Sequence, residues 1–453
     1  MRSKLVIVST EIIEKNLAGP GLRYLEMARA LSDEIEVTLA IPGETTLIVP
    51  EISLVSYHYS HPKDFQKLIE AHDAALVTAF TLNKFPLLRQ IKIPYIIDLY
   101  DPFIFENFFY YLDETPDVQA EFNRQAVNLL NQVAFLGDYF ICASERQRDM
   151  WIGLLTANGR VNPYTFAQDA SFRELIDVVG IGIPDREPVQ RTFLRGTCPE
   201  FPENCRIILW GGGIWDWLDP LTLLKAWPEI IEHYPDARLV YLGTRHPNPE
   251  IPQHRVVAEL ESLAEEMGER NQTVFFLEWL SYSDREALLQ EADIGVTLHR
   301  DHIETHFSIR TRIFDYIWAR LPILVSEGDV TSQWVQKFAL GKVVSPQDPD
   351  LVAQAIQEIL SFPKDFWIAA FDAAHEQFRW SVVVNPLRRY LQCHGFSADH
   401  LVRGWKPEVK NLSSIDIWRI KLVRARYVLR TQGLPTLIDK ILKNIHIHLT
   451  KLL

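Results

Sequence analysis

RIILWGGGIWDWLDPLTLLKAWPEIIEHY, Arg206–Tyr234, passes from a short apolar strand through three glycines into a helical pattern. Three glycines in a row remove every Cβ that would keep a diphosphate from the main-chain amides; a tight turn needing positive φ is the competing reason for them. The same order opens the chain. KLVIVST (Lys4–Thr10) reads as a strand, AGPG (Ala18–Gly21) as a glycine turn, and RYLEMARAL as a helix with Leu25, Ala28 and Leu31 on one face. Short β-branched or aromatic runs follow each opening: Glu36–Pro42, Ala74–Ala79, Pro94–Tyr100 and Asp138–Ser144 in the first half, then Ala237–Gly243, Thr273–Leu280, Ala292–Leu298 and Leu321–Glu327. Helical patterns such as Leu221–Tyr234 and Ser283–Ala292 separate them. Strands alternating with helices predict an α/β protein with two doubly wound, Rossmann-like halves, and ligands at the carboxyl ends of the strands, facing a cleft.

Length agrees, since 453 residues exceed one ordinary core. Proline and glycine in GIGIPDREP suggest a linker, which places the first domain at 1–187 and the second at 188–380, followed by a crossover at 381–411 and a tail at 412–453. No apolar run reaches the roughly 18 residues of a membrane span, and no signal peptide is read at the start. Four cysteines without CxxC spacing point to a reduced, cytoplasmic protein. The tail from Leu401 carries 11 Lys and Arg against 3 Asp and Glu, so a net charge of −13 leaves −21 on the first 400 residues. An acidic body argues against nucleic acid as a partner.

Candidate site residues fall in three blocks. In the first, Gly19 and Gly21 bring amides towards an anion, with Arg23 beside them. The second is Gly211, Gly212 and Gly213, followed by Trp215, Asp216, Trp217 and Asp219, which suit sugar contacts or the packing of a loop. The third, His299–Asp329, is densest: Glu304 and Ser308 from a loop, then Arg310, Arg312 and Asp315 on a helix. Two arginines at a helix start oppose its dipole, which calls for a compensating anion; they suit phosphate oxygens, and Asp315 suits two ribose hydroxyls. His299, His302 and His306 with Asp301 and Glu304 have the spacing of a metal site on one helical face, but the stretch also reads as a loop, so no metal or other cofactor is assigned. Asp348-Pro349-Asp350 has DxD form, though its place before LVAQAIQEIL makes a helix cap the better reading.

AGPGLRYLEMARAL, FICASERQRDMW, WGGGIWDWLDPLTLLKAW, FFLEWLSYSDREALLQEADIGV and SIRTRIFDYIWARLPILVSEGD, in this order between Lys4 and Leu360, resemble the family 4 glycosyltransferases, retaining enzymes with a GT-B fold. The resemblance implies a nucleotide-sugar donor, with Gly19 and Gly21 facing its diphosphate and the acceptor. It also implies Gly211–Gly213 against the phosphates and Trp279 and Leu280 beside the base. Of the family's paired glutamates seven residues apart, the second matches Asp315 and the first matches Glu304, with ten residues between them here. Three departures stand out. The second acid is Asp, the usual Arg and Lys after the glycine loop are absent from GGGIWDWLDP, and the family's histidine is replaced by Tyr100, leaving Asp98 and Asp101 as acidic neighbours. Arg310 and Arg312 would supply the missing charge, with Glu304 and Asp101 as the other catalytic candidates.

In the tail, IDIWRIKLVRARYVLR and LPTLIDKILKNIHIHLTKLL interleave bulky apolar residues with Lys and Arg. Two readings stand: an interfacial helix on the anionic inner face of a membrane, with Trp418, Ile441 and Leu442 towards lipid, or a helical hairpin packed on the body or on a partner subunit. The acceptor is then a glycan or a lipid-linked molecule. Competing functions are a nucleotide-sugar 2-epimerase and a non-catalytic nucleotide-sugar-binding or envelope-assembly scaffold.

Overall fold

The computed structural model describes residues 3–15, 17–246, 253–393, 395–402 and 414–450. The expected tail start at 412 and the later part of the expected crossover, 403–411, lie outside them.

Two all-parallel sheets organise the chain. The first has seven strands: β1 (Lys4–Val8), β2 (Glu36–Pro42), β3 (Ser53–Tyr57), β4 (Ala74–Val77), β5 (Tyr95–Asp98), β6 (Tyr139–Cys142) and β7 (Ile176–Val178), in the order β3-β2-β1-β4-β5-β6-β7. The second has six: β8 (Arg206–Gly211), β9 (Ala237–Leu242), β10 (Val274–Leu277), β11 (Ile294–Thr297), β12 (Ile323–Ser326) and β13 (Gly341–Val344), in the order β10-β9-β8-β11-β12-β13. Central strands such as β4, β5, β6 and β11 are buried along their whole length, as strands covered by helices on both faces must be. Strand order reverses beside β1 and beside β8, so each sheet has its crevice at those carboxyl ends.

Strands are found at all ten positions read from the sequence, with ends shifted by at most three residues. β3, β7 and β13 were not anticipated. All three lie at sheet edges, and β7 has only three residues. The AGPG reading needs correcting. Gly19 and Gly21 are not a turn after β1 but belong to the first turn of the helix Gly19–Leu31, with Ala18 as its cap and a loop before it.

The two lobes close on each other. Trp279 Nε1 donates to the Leu17 carbonyl (3.1 Å), and the Tyr282 amide donates to the Lys15 carbonyl (2.9 Å). Gln147 Nε2 reaches the carbonyls of both Tyr100 (2.8 Å) and Phe307 (2.9 Å). Phe105 of the helix Phe103–Tyr110 stacks on Phe307 at 5.6 Å. After the second sheet the chain returns to the first. Tyr390 of the helix Asn385–Cys393 stacks on Tyr139 at 4.2 Å, and the Arg388 guanidinium caps the Ala30 carbonyl (2.7 Å). Beyond it, Asp399 meets Arg160 in a fork at 2.8 and 3.2 Å, both side chains fully buried. The helix Ser414–Thr450 closes the described chain and breaks at Gly433, whose φ of 80° and ψ of 171° no helix contains.

Candidate functional site

At the crevice of the second sheet, Gly211 ends β8 and its N–H donates to the Tyr316 hydroxyl (2.8 Å), which donates in turn to the Val296 carbonyl (2.9 Å). The Gly212 N–H turns back onto the Trp210 carbonyl (3.1 Å). Two of the three amides expected to face phosphate are therefore taken up inside the protein. Among the described residues the Gly213 N–H has no partner. Gly243, at φ +81°, lies so close that a Cβ on it would stand 3.0 Å from the Gly213 nitrogen, so this position takes glycine for both conformation and space. Gly213, Trp215, Thr244, His254 and Trp279 line one recess of the second lobe. Trp215 stacks flat on Trp217 at 5.3 Å. Asp216 is engaged by the Val256 amide (3.0 Å) and His254, and Asp219 caps the helix Pro220–His233, so both acids serve the loop's packing. Leu280 is half-buried and packs against the second lobe's core.

Arg312 is the cation of this loop. Its Nη2 donates to the Gly213 carbonyl (2.5 Å) and its guanidinium lies 4.8 Å from the Trp210 ring centre. Its Nη1 is buried without a hydrogen-bond partner, and no carboxylate pairs with it among the described residues. Burial without a counter-ion pulls its pKa down to about 10. Asp315, one turn on, is ion-paired to buried Arg285 and is not a bare acceptor for ribose; it lines a second recess with Gly19 and Thr311. A Cβ on Gly19 would meet the Thr311 hydroxyl at 3.5 Å.

Arg310 behaves differently. It forks onto Glu304 at 2.7 and 2.8 Å, and Ser308 donates to the same carboxylate at 2.5 Å, all of them buried. Burial pushes the Glu304 pKa up, but Arg310 overrides it and holds the carboxyl below its ordinary value. Facing this pair across the cleft are Asp101, just after β5, and Glu106 on the helix Phe103–Tyr110. The two share a hydrogen bond. Burial, then the charge of Glu304, raises Asp101 to about 7; burial and the charge of Asp101 lift Glu106 well above the carboxylate range. Three carboxyls share one arginine here, and their mutual repulsion favours the protonated form at Asp101 and Glu106.

The structure thus brings Asp101, Glu304, Ser308 and Arg310 together, sets Arg312 beside Gly212 and Gly213, and leaves Trp279 and Asp315 on the cleft wall. It does not bring Arg23, Asp98, Tyr100 or Gly21 to an open anion site. Arg23 forks onto Asp98 (2.8 and 3.2 Å) and caps the Val179 and Gly180 carbonyls, fully buried, with the Tyr100 ring 4.9 Å away. Asp98 also accepts from the Tyr100 amide (3.1 Å), so it is the counter-ion of Arg23 rather than an acceptor-orienting group. Gly21 makes room for Ile13, 3.1 Å from where its Cβ would be. Of the histidines, His302 is satisfied by Trp217 and Thr305, and burial drops His299 to about 4. Among the described residues no three His, Cys, Asp or Glu converge as metal ligands. Asp348 accepts from the Leu351 amide (3.0 Å), a helix cap. Sequence reading missed Glu106, Arg285 and Tyr316; a lone acid inside the aromatic run FIFENFFY was the available signal for the first.

Paired parallel sheets with crevices meeting at one cleft define a GT-B protein. Its fold is shared by the Anabaena protein Alr3699/HepE in complex with UDP-glucose, at 15% identity, TM-score 0.58, covering 86% of this chain and 99% of that one. Sucrose-phosphate synthase (tll1590) from Thermosynechococcus elongatus matches at 13% identity, TM-score 0.57, with 86% and 99% covered. WaaG, a glycosyltransferase involved in lipopolysaccharide biosynthesis, matches at 13% identity, TM-score 0.52, with 88% and 100% covered. Residues 205–361, within the second lobe, match the family model described as Glycosyl transferases group 1, and the chain is an enzyme of the glycosyltransferase class. No curated protein matches the chain.

Proposed function

We propose that this chain transfers a hexosyl unit, with retention and without a metal, from a nucleoside-diphosphate hexose to a glycan or lipid-linked acceptor. Membership of glycosyltransferase family 4 belongs to this reading. One observation carries it: the Arg312 guanidinium lies buried beside the Gly213 amide at the cleft with no counter-ion among the described residues. A buried cation without a carboxylate is costly unless an anion arrives. A departing diphosphate supplies that charge, and UDP is the nucleotide favoured by the UDP-glucose bound in the Anabaena neighbour.

In this reading, the bond from the anomeric carbon to the diphosphate oxygen breaks while Arg312 and the Gly213 N–H take up the charge gained by that oxygen. Glu304, kept ionised by Arg310, opposes the positive charge developing on the sugar. Asp101 orients the incoming acceptor hydroxyl from the first lobe; the hydroxyl oxygen bonds to the anomeric carbon on the face the diphosphate leaves, and its proton passes to the departing phosphate oxygen. Gly19 and Asp315 border the donor, and Trp279 borders its base.

Thermal-shift titration with nucleoside diphosphates and UDP-glucose tests the reading. A ligand at a hundred times its Kd stabilises by about 2.7 kcal/mol. The shift is expected with wild type and lost in Arg312→Met. No shift with any nucleoside diphosphate or sugar nucleotide sinks it.

A further inference from the structure

We propose that the helix Ser414–Thr450 is a two-faced clasp, one face seated on the body and the other made for an anionic lipid surface. The seated face is specific. Tyr427 packs edge-on against the stacked pair Tyr111 and Phe122, at 5.7 and 5.3 Å. Arg424 donates to Gln125 (2.8 Å), and Arg430 is ion-paired to Glu114. At 3.6 residues per turn the opposite side carries Trp418, Leu422 and Leu429, spaced by four and seven residues. Trp418 is 70% exposed, and Leu422 and Leu429 are 50% and 46% exposed. Beyond the break at Gly433 the pattern resumes with Leu434, Ile438 and Ile441, spaced by four and three, all exposed.

Charge selects the occupant. The seated face uses Arg430 against the body's Glu114. Arg419, Lys421 and Arg426 flank the outward apolar stripe, are exposed, and have no carboxylate partner among the described residues. Lys421 stands 6.0 Å from the Trp418 ring centre. An apolar stripe between two rows of cations, with a tryptophan at its edge, matches the headgroup boundary of an anionic bilayer. Among the described residues no helix is long and apolar enough to cross a membrane, so the helix would lie in the interface plane. The two sequence readings of the tail, packed helix and interfacial helix, describe opposite faces of one element.

Flotation of the full chain with phosphatidylcholine vesicles, with and without phosphatidylglycerol, is the test. Binding is expected only with phosphatidylglycerol, and it falls as salt is raised. Replacing Arg419, Lys421 and Arg426 together by Gln lowers the partition coefficient by roughly two orders of magnitude. The Trp418→Ser, Leu422→Ser, Leu429→Ser combination abolishes retention while nucleotide-induced thermal shifts stay at the wild-type value. Equal binding to both vesicles, or binding to neither, overturns the proposal. So does a wild-type dimer that the serine combination turns into a monomer, since the face would then belong to a second copy. Should a variant fail to fold, the wild-type comparison of the two vesicle compositions decides alone.

Discussion

Arg310 and Arg312 stand two residues apart and have opposite energetics. Arg310 is neutralised by Glu304, so Arg310→Ala strands a buried carboxylate and should cost about 3–5 kcal/mol in urea unfolding. Sequence reading gave both arginines the same role of supplying the missing charge; the buried fork onto Glu304 sets Arg310 apart. Arg312 has no counter-ion, so Arg312→Met should leave stability level or higher and lower kcat by roughly 10²–10³. Equal effects of the two substitutions on stability would contradict this division. Asp101 gives a pH signature of unusual sign. Its folded value, about 7, lies above its unfolded value near 3.8, so folding takes up a proton between those limits. Stability should fall as pH rises through that window, by up to about 1.4 kcal/mol per pH unit per proton, and Asp101→Asn should flatten the slope. Glu304 acts at lower pH with the opposite sign, since its lowered value contributes stability that is lost on acidification.

At the scale of elements, the helix Arg312–Trp318 sets the glycine loop through one side chain. Tyr316 lies flat under β8 and β11, where a Cβ on Gly295 would come 2.5 Å from its ring and one on Gly211 would come 2.8 Å. Gly211 and Gly295 are therefore small for Tyr316 and not for a ligand. Gly295→Ala should cost about 1–3 kcal/mol by overpacking. Tyr316→Phe should cost a similar amount, because the Gly211 amide then loses its buried acceptor. Calorimetric melts of both variants check this; an unchanged melt for Tyr316→Phe would mean that the loop is held some other way. In the first lobe, the helix Phe103–Tyr110 carries Glu106 and meets the second lobe through Phe105 stacked on Phe307.

At the scale of the whole molecule, the return of the chain to the first lobe ties the two halves into one unit. Arg160 and Asp399, 239 residues apart, are both fully buried, and Ser397 and His400 bind Asp138 close by. Asp399→Asn leaves Arg160 unbalanced and should cost about 3–5 kcal/mol. In scanning calorimetry the loss should appear in the transition that includes the first sheet. A melt equal to wild type would show that the return segment rides on the surface without stabilising it.

Local pattern was enough for ten of the thirteen strands and for the glycine loop after β8, because period, β-branching and turn residues act within a few neighbours. It placed the two-sheet architecture and drew attention to Glu304, Arg310, Arg312 and Asp101. It missed β3, β7 and β13, edge strands too short or too mixed to stand out. What tertiary packing alone decided is which charges are spent. Arg23 and Asp98, 75 residues apart, cancel each other, as do Arg285 and Asp315, whereas Arg312 has no carboxylate to cancel it. A guanidinium looks the same in every sequence; whether it greets a ligand depends on which carboxylate the fold carries to it, and that is a long-range property.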